Sequence, residues 1–335
     1  MYRVSKSLAV ALGCTLAAAT AESQKTAAPP PLPQHFEVDA AHSLLGFSVG
    51  FMGLSQVRGA FATFAGTIMY APDAPQRSSA SLIILAKSIN TNGPTRDNHL
   101  RSPDFFDVAK YPYITFRSSA VRPTATGYLV DGEFSMHGVT TTLSIPLALL
   151  NAPKSDAWGN QRMTLQGSLR LSRKEYGIKG TAFWNGEFDP GRMAVSDNAD
   201  VDLLISATIP NVDRWTDAVG DSLFAEMKRQ GVKQTLTQLK VGRATNARID
   251  SIAPFAYVVA AEKLAKLGQV NDAVDVYTAA LEILPTAGLI IARRAALLAR
   301  LGDYPAATEQ FERVSRMDST STIAWEWLRV LRAKR

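Results

Sequence analysis

LLGFSVGF, residues 44–51, decides the fold. Leu45, Phe47, Val49 and Phe51 alternate with Leu44, Gly46, Ser48 and Gly50, a period of two that puts the larger apolar set on one face of an extended strand. Working outward, Val130, Gly132, Phe134 and Met136 alternate with Asp131, Glu133 and Ser135, and the runs Met163 to Leu171 and Val201 to Ile209 repeat the pattern, with Val201, Leu203, Ile205 and Ala207 on one face. About eight such segments lie between Phe36 and Pro210, divided by Gly, Pro, Asn and Asp clusters and mostly without helices between them. That predicts an antiparallel meander closing into a barrel. An eight-stranded barrel is just wide enough to be filled by its own side chains or to hold one elongated ligand.

Five longer blocks carry a family resemblance: Asp39 to Phe51 with Gly53 to Ile68, Ser88 to Ser119, Val130 to Leu147, Gly167 to Gly180, and Ala194 to Ile209. Their content and order resemble the YceI-like family of secreted, lipocalin-like barrels, which implies an eight-stranded antiparallel barrel with a polyisoprenoid chain in its lumen. One position departs from the family pattern. Where many members carry a His in the first strand, this chain has Gly50-Phe51, and Phe51 extends the apolar wall instead.

Aromatic and aliphatic side chains bury most of a hydrophobic ligand's surface. The expected lumen wall takes Leu45, Phe47, Val49 and Phe51 from the first long strand, Phe61 and Phe64 from the next, and Phe116, Phe134, Met136, Leu203 and Ile205 from later ones. Taken one at a time, such rings equally suit a dry, filled core. Arg96, His99 and Arg101 are the expected contacts to a diphosphate or quinone head at the mouth, against a structural alternative in which Arg96, Asp97 and Asp107 cap a short helix and pair with one another.

Catalytic signals are weak. Gly46-Phe47-Ser48-Val49-Gly50 spells the nucleophile elbow G-x-S-x-G, but that motif needs a strand, a sharp turn and a helix, and Ser48 sits mid-strand. The four histidines, His35, His42, His99 and His137, form no metal-like spacing. His42 after Asp39 and His137 before Gly138 suit local turn bonding. There is no phosphate loop or dinucleotide fingerprint. The expectation is a binding protein with no enzymatic activity and no cofactor.

Beyond Pro210 the spacing becomes helical, and from Pro254 a repeat appears. Tyr257, Ala261, Leu264, Gly268, Ala273, Tyr277, Ala280 and Pro285 are answered 34 residues later by Ile291, Ala295, Leu298, Gly302, Ala307, Phe311, Val314 and Ser319. Period and residue types resemble the tetratricopeptide repeat. Small Ala residues let helices approach, and Gly268 and Gly302 make the turns. Thr322 to Arg335 is expected to cap the array, and Asp217 to Val241 to form one or two helices turning at Gly231. The groove of such an array is expected to take a peptide or protein partner, or else to serve packing or dimerisation.

The 335 residues, 46% of them apolar, exceed the ~250–300 at which single cores stop growing, so two domains are expected: residues 35–210 as barrel and, after a helical connector over 211–253, residues 254–335 as repeats. Arg3 and Lys6 before the apolar stretch Leu8 to Ala19, then Ala19-Thr20-Ala21, read as a signal peptide over 1–21. Export to a bacterial periplasm follows. Ala11-Leu12-Gly13-Cys14 offers the alternative of a lipoprotein anchored at Cys14, the sole cysteine. Residues 22–34, Pro- and Ala-rich, read as an extended linker. Removal of 1–21 lowers the formal charge from +6 to +4, with no Lys/Arg cluster of the kind that binding to nucleic acid or to an anionic membrane would want; transient membrane contact stays open. The alternative to lipid carriage is a scaffold with a filled barrel.

Overall fold

The computed structural model describes residues 31–245 and 253–332. The segment expected as signal peptide, the Cys14 box and most of the proposed linker lie outside the described residues.

Strands β1 (Gln34–Val38), β2 (Leu44–Phe51), β3 (Ser55–Phe61), β4 (Phe64–Tyr70), β5 (Ser79–Leu85), β6 (Ile89–Asn90), β7 (Tyr113–Pro123), β8 (Gly127–Met136), β9 (Val139–Ser155), β10 (Gln161–Ser172) and β13 (Val195–Ile209) form one sheet; β11 (Glu187–Asp189) and β12 (Arg192–Met193) make a small separate ribbon. The order β1-β4-β5-β7-β8-β9-β10-β13 closes on itself where Glu37 and Val38 pair with Thr208 and Ala207. This is a closed eight-stranded antiparallel barrel. β2 continues along β13, with Leu45 opposite Leu203 and Val49 opposite Ala199, while β3 lies on β2 and β6 on β3. So β1/β2, β3/β4 and β5/β6 act as three bent strands. The first bend is a short turn in which Asp39 accepts from the Ala41 amide at 3.2 Å and meets His42 Nδ1 at 2.7 Å.

Register gives the barrel two distinct ends. Residues 52–54, the 91–112 connection with helix α1 (Pro94–Arg101) and the 173–194 connection lie at one. Tyr70 and Tyr128 lie at the other, their hydroxyls 3.1 Å apart. Burial first, then the bond to Tyr70, raises the Tyr128 hydroxyl above its ordinary range.

Seven α-helices follow the barrel among the described residues: α2 (Ala218–Gln230), α3 (Val232–Thr245), α4 (Pro254–Lys266), α5 (Val270–Ile283), α6 (Gly288–Arg300), α7 (Tyr304–Met317) and α8 (Thr322–Arg332). α4, α6 and α8 start at 254, 288 and 322, and α5 and α7 at 270 and 304. Gly231, Gly268 and Gly302 take φ of 95°, 81° and 85° at the turns, a left-handed region costly for other residues. Ala261, Ala273, Ala295 and Ala307 are fully buried between helices.

The helices also pack on the barrel. Met69 of β4 is buried among Ile291, Phe311 and Trp327. Thr67 and Thr322 hydroxyls meet at 3.0 Å, Ser79 of β5 donates to Glu326, and Arg329 donates to Ser118 Oγ at 3.0 Å and the Ser119 carbonyl at 2.9 Å. An array cap ordinarily turns a polar face to water. Here α8, expected as a cap, turns that face to the outside of β4 and β5.

Candidate functional site

Inward side chains from around the barrel enclose a cavity of about 330 Å³. Leu45, Phe47, Val49 and Phe51 line it from β2, Phe61 from β3, Phe116 from β7, Phe134 and Met136 from β8, and Leu203 and Ile205 from β13. Phe64 does not line it; paired opposite Ile84, it packs against the barrel core instead. The rest of the wall, which the sequence reading did not name, includes Leu82 and Ile84 of β5, Ile114 of β7, Leu147 of β9, and Leu165, Leu169 and Leu171 of β10. Period-two alternation within Ser79 to Leu85 and Gly167 to Leu171 was the available signal for them.

Two ring positions depend on glycine. The Phe47 ring covers Gly59 across the β2–β3 pair, where a Cβ would lie 2.5 Å from the ring edge; Phe116 covers Gly132 in the same way, at 2.6 Å. The missing side chains let the rings lie flat on the wall and leave the lumen open.

Polar groups gather at the α1 end. Arg96 lines the cavity, but its Nε donates to Thr91 Oγ1 at 2.7 Å and its Nη2 to the Thr91 carbonyl at 2.8 Å. Asp97, buried, accepts from the Thr91 amide at 2.9 Å and its hydroxyl at 2.5 Å. The expected Arg96–Asp97–Asp107 capping cluster is therefore replaced by two residues converging on Thr91; Gly93 is the N-cap of α1. His99 also lines the cavity, its Nε2 2.8 Å from Asp104 and its ring edge-on to Phe105. Arg101 points away from the lumen and ties α1 to the neighbouring chain through the Lys87 and Ile89 carbonyls at 2.8 and 2.7 Å.

Two mouth residues escaped the sequence reading. Trp184 lies across the opening, 6.3 Å from Phe51 between centroids. Arg173, buried, donates to the carbonyls of Ile178, Lys179, Ser196 and Val195 at 2.9, 2.7, 2.9 and 3.1 Å. Burial lowers its pKa, and Asp197 opposes that only in part. A lone arginine after an alternating strand gives no sequence sign of such a clamp.

Ser48 lies mid-strand in β2, opposite Arg58 and Asp200, and the chain turns from Phe51 into β3 rather than into a helix. His137 bonds the Tyr176 carbonyl at 2.8 Å, and His35 packs edge-on against Trp327. Among the described residues no three His, Cys, Asp or Glu side chains form a metal-like group, and no helix is long and apolar enough to cross a membrane.

Residues 36–207 match the model of the YceI-like domain. A UPF0312 protein of Vibrio cholerae serotype O1 is 35% identical over 144 residues, 43% of this chain and 76% of that protein. A UPF0312 protein of Pseudomonas savastanoi pv. phaseolicola is 34% identical over 143 residues, 42% and 74% of the two chains. Among solved structures, Burkholderia cenocepacia BcnA aligns with 22% identity over 50% of this chain and 98% of its own, at a TM-score of 0.44. A polyisoprenoid binding domain from Saccharophagus degradans aligns with 19% identity over 52% and 98%, at 0.41.

Proposed function

This chain belongs to the YceI-like family, and we propose that its barrel holds one isoprenoid lipid, a polyprenyl diphosphate or an isoprenoid quinone, without converting it chemically. The observation that carries this reading is the cavity of about 330 Å³, walled almost wholly by carbon, with its basic and imidazole side chains, Arg96, His99 and Arg173, at the α1 end. Such a shape suits a long apolar tail with a single polar head. It supports an occupied lumen over a filled one.

Apolar burial alone supplies the affinity. Each buried CH₂ contributes about 0.8 kcal/mol, so a few isoprene units offset the ~4–15 kcal/mol of freedom lost on association. In the same reading the chain works in the periplasm, and its helices, spaced like tetratricopeptide repeats, dock it to a protein partner. With part of α8 spent on the barrel, the partner meets the remaining faces of α2 to α7.

The test is native mass spectrometry of the full chain from its own host, followed by organic extraction. A stoichiometric isoprenoid is expected. A protein that stays bare after incubation with quinones and polyprenyl phosphates overturns the reading.

A further inference from the structure

The α1 end of the barrel carries apolar side chains outside the lumen as well as within it. Leu54, at the tip of the β2–β3 turn, is 76% exposed, and Phe183, in the 173–194 connection, is 57% exposed. They belong to one rim. The Met52 amide donates to the Ala194 carbonyl at 3.0 Å, and the Arg192 side chain packs over Gly53. Phe183 lies edge-on to Trp184, 4.8 Å between centroids, and Trp184 in turn neighbours Phe51. Trp184 and Phe51 both line the cavity. An unbroken apolar path therefore runs from solvent, over Phe183 and Trp184, into the lumen.

Single exposed apolar residues need no explanation, but two on the rim of an apolar cavity do, because each stands in water beside the wall that leads into it. The charges around them favour an anionic surface. Arg58, Lys87, Lys110 and Lys179 are exposed at this end, beside Arg96, which spends two donors on Thr91, and Arg192, which neighbours Asp189. The exposed carboxylates there are Asp104, Glu175, Glu187 and Asp189, of which Asp104 is held by His99 and Asp189 lies 3.6 Å from Arg192.

We propose that this rim is a membrane-docking surface: Leu54 and Phe183 insert among the acyl chains of a bilayer carrying anionic head groups, the basic side chains meet the phosphates, and the lumen opens onto the lipid phase. The inference rests on the lumen being a lipid site, and it assigns the route by which the ligand enters and leaves. Insertion of apolar tips supplies most of the attraction and basic side chains add a salt-sensitive part.

The experiment is co-flotation of the full chain with vesicles of phosphatidylethanolamine and phosphatidylglycerol, and with vesicles of phosphatidylcholine alone. Wild type is expected to float with the anionic vesicles, less with the neutral ones, and less again at high salt. The double variant Leu54→Glu/Phe183→Glu is expected to partition at least about tenfold more weakly, since two apolar side chains no longer leave water. Leu150→Glu/Trp158→Glu, which alters exposed apolar residues at the opposite end of the barrel, is expected to float like wild type. Wild type that floats with neither vesicle, a rim variant that floats like wild type, or equal loss in both variants overturns the proposal. Lipid extracted from the same preparations separates the two readings: a filled lumen in a protein that does not float sinks docking alone, and a bare lumen in one whose flotation depends on the rim sinks the lipid-site reading alone.

Discussion

The guanidinium carbon of Arg117, on the outer face of β7, lies 3.5 Å from the ring centroid of Trp325 on α8. One strand of the barrel thus grips the last described helix by a cation–π contact, beside the Arg329 bonds to Ser118 and Ser119. Such contacts contribute about 0.5–2 kcal/mol. A double-mutant cycle of Arg117→Met and Trp325→Leu is expected to give a coupling of that size by denaturant unfolding. Additive effects would mean that the pair is adjacent without being coupled.

His35 makes the same joint sensitive to acid. Burial first, then Arg293, lowers its pKa from 6.5 to about 4, with Glu262 opposing. Between those values the unfolded chain binds the proton and the folded chain does not, so stability is full above 6.5 and falls as pH drops toward 4. The shift corresponds to up to about 3 kcal/mol. His35→Phe keeps the edge contact with Trp327 and is expected to flatten the dependence of Tm on pH across this window. An unchanged slope would assign the acid sensitivity to other groups.

Glu326 works in the opposite sense. Burial raises its pKa above 4.5, against the bond from Ser79 and the charges of Arg329 and Arg117. Above 4.5 the folded state holds a proton that the unfolded state has released, so this residue costs stability as pH rises through its folded value. Glu326→Gln is expected to match wild type in acid and to be the more stable of the two at neutral pH. Lower stability of the variant at neutral pH would show that the carboxylate's bonds outweigh its desolvation.

The barrel was legible because alternation of large apolar and small or polar residues has one physical outcome when a single face is buried. Leu45 to Phe51 and Leu203 to Ile205 stand on the lumen wall as that pattern implies. The helix-covered outer face was not legible, for a reason visible in Thr67, Ser79 and Ser81. Short hydroxyl residues at outward positions look like a solvent face, yet these are buried, and two of them meet α8 through Thr322 and Glu326. At the mouth, a local pattern could not reveal that Arg96 and Arg173 spend their donors on backbone carbonyls and a threonine, since those partners are fixed only by the fold.

Arg173 holds the 173–194 connection against the end of β13. Arg173→Met leaves five carbonyls, that of Trp184 included, to find other donors in a poorly hydrated place, a loss expected to reach at least about 3 kcal/mol. Hydrogen exchange of residues 178–197 is expected to rise first, ahead of global unfolding. Arg173→Lys is expected to recover little, because one ammonium cannot span a fork of carbonyls. A variant with wild-type exchange in that segment would show that the clamp is dispensable.

The lumen itself is best tested by filling it, because a charge placed there confounds lost binding with unfolding. Ala199 of β13 lines the cavity opposite Val49, and Ala199→Phe adds a ring where space already exists. Overpacking a tight core costs about 1–3 kcal/mol, so a smaller change in Tm is expected here, together with at least tenfold less isoprenoid in the organic extract. If Ala199→Phe keeps its full complement of lipid while losing several degrees of stability, the ring is straining a filled core, and the ligand lies elsewhere.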